Sequence, residues 1–144
     1  MRHVTAVATN PAAVAKAVSG PMYAIEDLRI LAEKPTPANG WQTHPQLAGL
    51  RFLPIATLGG GGTTLYMLAP GARVPGHEHG VGGEHTLMLD GTITAGNFTL
   101  KAGESVFRGE GTIDEAATAG PTGALLVVTR QSPLKPLYQK PRQA

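Results

Sequence analysis

Between residues 50 and 130 the chain alternates short apolar runs with turn signals: RFLPIATL, TTLYMLAP, HTLMLD, TITA, NFTLK, SVFR and ALLVVTR, each closed by glycine or proline. Runs this short are strands rather than helices, and their close spacing predicts an all-β sandwich or barrel. Two of them, HTLMLD and the LLVV of residues 125–128, are apolar on both parities. A strand apolar on both faces is covered on both, so these two are expected at the centre of the sheet. Gly91 closes HTLMLD and Gly123 precedes ALLVVTR, so strands are expected to break at both. The four glycines at 59–62 predict a mobile hairpin tip; a phosphate-binding loop would need a lysine and a following helix, and TTLYML reads as a strand.

Before residue 50 the pattern is different. Asn10 as N-cap, Pro11 in the first turn, Val14 and Val18 on one face and Gly20 beyond the end predict a short helix over 10–20. A second helical turn is expected over 25–33. Residues 34–46, KPTPANGWQTHPQ, hold three prolines and a glycine, so no regular element is expected there; Trp41 is assigned to the core. The expected layout is an N-terminal extension and connector over 1–46, a β-barrel domain over 47–130 and a proline-rich basic tail over 131–144.

Composition narrows the chemistry. The 144 residues include 5 histidines and no cysteine, which excludes a thiolate nucleophile, a disulfide framework and a cysteine zinc site. Any site must use nitrogen and oxygen donors. The formal charge is +2, but Lys135, Lys140 and Arg142 lie in the tail without an acid, leaving a slightly negative remainder. A basic footprint across the folded face is thus missing, and no nucleic-acid partner is expected. Asn10, Pro11 and Lys16 break the early alanine-rich run too soon for a signal-peptide core, and no run is long enough to span a membrane. The expectation is a soluble, cytoplasmic protein.

The candidate chemistry sits in HEHGVGGEHT, residues 77–86. His77 and His79 are two apart, so on a strand both imidazoles face the same way. Glu84 follows a glycine-rich turn and opens the next strand, where its carboxylate can complete a two-histidine, one-acid trio. Such a trio suits non-haem iron and, with water, zinc, manganese or nickel. Glu78 and His85 have the opposite parity and should point away; a turn at Gly83 that shifted the parity would exchange the roles of Glu84 and His85. His3 and His44 read as surface or capping residues. Tyr66, Met67, Met88, Phe98 and Phe107 are assigned to the core, and Arg73 to solvent.

Gly71, His77, His79, Glu84 and Gly91 stand at the spacings of the first signature of the cupin superfamily, which this chain resembles at every fixed position. The segment PGARVPGHEHGVGGEHTLMLDGTI is most similar to the cupin domains of ChrR-type anti-sigma factors and to related small metal-dependent dioxygenases. The resemblance covers roughly residues 63–130. It implies a single-domain jelly-roll barrel holding a metal between its sheets, often in a homodimer. The separate sigma-binding zinc domain of the anti-sigma factors is not expected here.

The second cupin signature is kept only in part. From Gly103 the spacing and two glycines, Gly109 and Gly111, are retained, but Gly109, Asp114 and Thr118 stand where the pattern has proline, histidine and asparagine. Asp114 therefore ligates the metal, or stands behind an open trio of His77, His79 and Glu84, or accompanies a barrel that has lost its metal. Two buried carboxylates without a cation would repel, which favours metal.

Two functions compete. One is a metal-dependent, oxygenase-like enzyme of the non-haem iron type, a dioxygenase acting on a small organic molecule. In it His77, His79 and Glu84 would hold a divalent transition metal (Fe, Zn, Mn or Ni) with positions open to substrate and dioxygen, whereas Asp114 as a fourth ligand would close the sphere, as in a structural site. The other is a non-catalytic ligand-sensing, stress-sensing or regulatory protein, with a closed structural metal site or none.

Overall fold

The computed structural model describes residues 32–33, 35–58, 61–132 and 135–136, with Leu58, Lys135 and Pro136 described by backbone alone. The chain divides into two compact units, Met1–Pro35 and Thr36–Ala144. In the first, Ala32 and Glu33 are helical; the helix expected over 10–20, most of the turn over 25–33, and His3 lie outside the described residues. No helix among the described residues is long and apolar enough to cross a membrane.

The second unit is built of strands: β1 Gln42–Thr43, β2 Leu50–Leu58, β3 Gly61–Leu68, β4 Arg73–Val74, β5 His77–Glu78, β6 Glu84–Ala95, β7 Phe98–Lys101, β8 Ser105–Arg108, β9 Ile113–Asp114, β10 Ala117–Arg130 and β11 Lys135–Pro136. The larger sheet runs β1-β2-β3-β10-β6-β7, with β4 added on β10 and β8 on β6; the smaller runs β11-β5-β9. The fold is the β-rich architecture expected. β10 pairs with β3 on one side and β6 on the other, and Leu125, Leu126 and Val128 are buried. That is the central position their two-sided apolarity predicts. β2 and β3 form the hairpin expected around the glycine run, with Leu58 opposite Gly61.

One face of the larger sheet carries the core, in which Leu50, Leu68, Met88, Leu100, Ala124, Leu126 and Val128 pack together. Alternation along each strand sets which side chains join it. On β10 the inward set Ala124, Leu126, Val128 continues to Arg130; on β6 the inward set Met88, Thr86 ends at Glu84. The charged ends of two apolar stripes thus lie on the core face. The structure also corrects the assignment of two aromatics to the core. On β8 Val106 and Arg108 are partly buried, so Phe107 between them is turned out and 64% exposed. Phe98, at the start of β7, is 45% exposed.

Two further expectations change. The glycines taken as strand ends lie inside long strands: β6 passes through Gly91 at φ 72° and β10 through Gly123 at φ 83°. Ala119 pairs with Ile93 and Ala124 with Gly91, so β10 takes five steps where β6 takes two, and the excess forms a bulge. A side chain at Gly91 would meet the Gly123 carbonyl oxygen and one at Gly123 the Leu68 carbonyl oxygen, which is why both strands need glycine there. The connector also holds regular structure. Pro37 fixes φ for a 3-10 turn, Pro37–Asn39, closed by Gly40 at φ 86°, and β1 pairs with β2. Trp41 is buried, as a core side chain should be.

Candidate metal centre

β5 sets His77 directly opposite Asp114 on β9. The ladder continues past the strand ends, the His79 amide donating to the Thr112 carbonyl at 2.9 Å and the Gly111 amide to the His79 carbonyl at 2.8 Å. Gly82 and Gly83, both at positive φ, then turn the chain into β6, whose first residue is Glu84. Together these elements bring His77, His79, Glu84 and Asp114 into one cluster, each offering a ligand atom within 4.8 Å of the others. His79 Nε2 lies 3.5 Å from Glu84 Oε1 and 3.4 Å from Asp114 Oδ2, and His77 Nε2 lies 3.5 Å from Asp114 Oδ2. His85 is exposed on the other face of β6, whereas Glu84 is buried. Arg73 is exposed on β4.

Hydrogen bonds fix which ring nitrogen each histidine presents. His77 Nδ1 is 3.2 Å from the Pro75 carbonyl oxygen, an acceptor, so Nδ1 carries the hydrogen. His79 Nδ1 is 3.1 Å from the Thr112 carbonyl oxygen and 2.9 Å from Thr112 Oγ1. The Thr112 hydroxyl donates its one hydrogen to the Gly109 carbonyl at 2.6 Å, so towards His79 it accepts as well. Both imidazoles therefore turn a bare Nε2 lone pair to the cluster, and both Nε2 atoms are buried without a hydrogen-bond partner. An unmet buried polar atom costs about 1–3 kcal/mol, and a cation would satisfy both at once. The three histidine–carboxylate separations agree: donors around a tetrahedral ion with bonds of about 2.0–2.1 Å stand about 3.3–3.4 Å apart. Two imidazoles and two carboxylates fit iron, manganese, zinc or nickel as divalent ions.

The carboxylates have a second set of partners that the sequence reading did not include. Glu84 Oε2 accepts from Arg130 Nε and Nη2, each at 3.1 Å, and Arg130 Nη1 donates to the Tyr66 hydroxyl at 3.2 Å. Asp114 Oδ1 pairs with Arg108 Nε. Each carboxylate thus gives one oxygen to an arginine and turns the other to the histidines. Arg108, Glu84 and Arg130 are register partners across β8, β6 and β10, which puts all three on one face. The argument that two buried acids favour a metal is thereby weakened, because two guanidinium groups already pair with them. Burial lowers the Arg130 pKa, but the charges of Tyr66 and Glu84 and hydrogen bonds to both outweigh it, and the net shift is upward. One signal in the sequence marks Arg130: it shares the parity of Leu126 and Val128.

A cavity of about 200 Å³ opens against this cluster. His77, Glu84, Asp114, Arg108 and Arg130 reach it, while most of its wall is apolar, with Leu50, Leu68, Ile93 and Leu126 among the lining residues. His44 also lines it. Its Nδ1 accepts from the Gln46 and Leu47 amides, each at 3.1 Å, so it caps a turn, as expected, and stands on the cavity wall as well.

No protein-family model matches the chain, and no curated protein sequence matches it. Solved structures do match. The chain is similar to an acetylacetone dioxygenase from Acinetobacter johnsonii at a TM-score of 0.62 and 14% identity, over 81% of this chain and 77% of that one. A putative acetylacetone dioxygenase from Methylibium petroleiphilum gives a TM-score of 0.57 and 17% identity, over 83% and 85%. A chain of the Rhodobacter sphaeroides complex of SigE with the anti-sigma ChrR gives 0.54 and 18%, over 83% and 74%. The architecture is the cupin fold.

Proposed function

We propose that the protein is a metal-dependent enzyme of the non-haem iron type, an oxygenase that acts on a small organic molecule, with His77, His79, Glu84 and Asp114 as metal ligands. The observation that carries this reading is the apolar cavity set against the ligand cluster. Four protein ligands close a tetrahedral ion, as in a structural site, but leave positions open on a metal that takes five or six ligands, and the cavity lies where such positions would face substrate. His77, Glu84 and Asp114 all border the cavity.

The metal would supply Lewis acidity and activation of dioxygen. The protein's own part is positional. Thr112 and the Pro75 carbonyl hold the imidazoles with Nε2 inward. Arg108 and Arg130 each occupy one carboxylate oxygen, so that Glu84 and Asp114 offer the other. The leucine and isoleucine walls exclude water. Among the described residues, no side chain in the cavity has the partners of an independent nucleophile and base.

Two neighbours carry acetylacetone dioxygenase in their names, which makes acetylacetone the first compound to try. The test is elemental analysis of protein purified without a histidine tag, followed by oxygen uptake after loading with ferrous iron. The reading expects close to one equivalent of metal, lost in His77→Ala. Less than about 0.1 equivalent after loading would sink it.

The regulatory reading has one observation of its own, that the arginines leave the site neutral without metal, and the likeness to a chain of the SigE–ChrR complex supports it. Full metal occupancy with a flat oxygen trace across small dicarbonyl and carboxylic substrates would favour it.

A further inference from the structure

The arginines that neutralise the carboxylates change what the loaded site must bind. Within the cluster two carboxylates face two guanidinium groups, and histidines that ligate a metal do so as neutral imidazoles. The carboxylates are balanced before any metal arrives. A divalent cation placed on His77, His79, Glu84 and Asp114 therefore leaves two uncompensated positive charges in surroundings that are largely buried and apolar on the cavity side. Isolated buried charge is costly, and an anion alongside it is the usual remedy.

The two arginines are not equally committed. Arg130 uses Nε and Nη2 on Glu84 and Nη1 on Tyr66. Arg108 meets Asp114 through Nε; among the described residues its terminal nitrogens make no hydrogen bond. Its guanidinium carbon lies 5.8 Å from the centroid of the Phe98 ring, and both side chains line the cavity. A planar fork steadied on one edge and held over a ring, with its other edge open, is the arrangement that receives a carboxylate or a similar pair of oxygens.

We propose that the loaded cavity selects a small organic anion with an apolar body, its charged oxygens held between the metal and the terminal nitrogens of Arg108. This rests on the metal-site reading above and adds the charge class of the ligand. It predicts that anion binding and metal binding reinforce each other.

Isobutyrate and isobutyramide test it, because they share a shape and differ in charge. Zinc serves as the metal, since it is redox-inert and separates binding from turnover. Calorimetry on the zinc-loaded protein should show isobutyrate binding at least about ten-fold more tightly than isobutyramide, and about ten-fold more tightly than isobutyrate binds the metal-free protein. Compared at matched zinc loading, Arg108→Gln should remove the preference, and Arg108→Lys should restore part of it. Equal binding of the two probes, or equal binding of isobutyrate with and without zinc, would overturn the proposal and leave the metal site standing. A preference that survives in Arg108→Gln overturns the role of Arg108. Failure to take up zinc at all removes both readings. The two-probe comparison on the unaltered protein holds even if a variant does not fold.

Discussion

At Thr112 one hydroxyl hydrogen is committed to the Gly109 carbonyl, and His79 is thereby held with Nδ1 donating and Nε2 bare. Valine at 112 would keep the shape and the backbone acceptor but lose the oxygen that aligns the ring. Partners of this kind are worth about 10- to 100-fold in metal affinity. Chelator competition should place Thr112→Val near the lower figure, because the Thr112 carbonyl remains, and Thr112→Ser within about two-fold of the parent. Arg130 is the other residue on which much depends. Arg130→Met leaves the buried Glu84 carboxylate without its two-pronged partner, a loss of about 3–5 kcal/mol in urea unfolding of the metal-free protein. Its folded pKa lies above its ordinary value, so its stabilisation is complete below that value and fades only in strong alkali. The difference between parent and Arg130→Met should accordingly be flat from roughly pH 6 to 9. Metal uptake behaves differently: imidazole and carboxylate must be unprotonated to ligate, so affinity falls as the solution is acidified.

On the scale of strands, much was legible because period-two alternation is a local signal. The pairing of His77 with His79, the inward Glu84 and outward His85, and the central place of LLVV all follow from parity and hold in the structure. Phe107 was misplaced because residue type was weighed above parity; Phe98 shares the parity of buried Leu100 and lines the cavity, yet is 45% exposed at the start of its strand. Long-range partners were not legible: Arg108 and Arg130 stand 24 and 46 positions from Glu84, and only the register of three strands brings them together. Glycine misled in another way, since it marks a tight local conformation without saying whether the strand ends there. Gly91 and Gly103 separate two effects of that conformation. Both have positive φ, but a Cβ at 91 meets the Gly123 carbonyl while one at 103 meets nothing within 4 Å. Gly103→Ala should cost only the backbone strain, about 1–2 kcal/mol. Gly91→Ala should cost clearly more, and the excess, read from paired denaturant curves, measures how rigidly the bulge joins β6 to β10.

For the molecule as a whole, an ion binding only the folded state stabilises it in proportion to the logarithm of its concentration, about 2.7 kcal/mol at a hundred times its dissociation constant. Zinc or ferrous iron should therefore raise the melting temperature. Chelation should lower it without unfolding the protein, because the arginine pairs keep the empty cluster neutral; loss of the far-ultraviolet β signal on adding chelator would contradict this. The row Arg108, Glu84, Arg130 has a further role before any ligand arrives. While the sheet is assembling, β6 must choose one alignment between β8 and β10. A slip of one residue reverses every side chain on the strand, which would carry Glu84 to the outer face and leave the Arg130 guanidinium facing inward without its acid. The adjacent hydrophobic stripe would be reversed by the same slip, so charge and apolar pattern reject the same error. The three residues that shape the site thus also act as a key for the strand order that creates it.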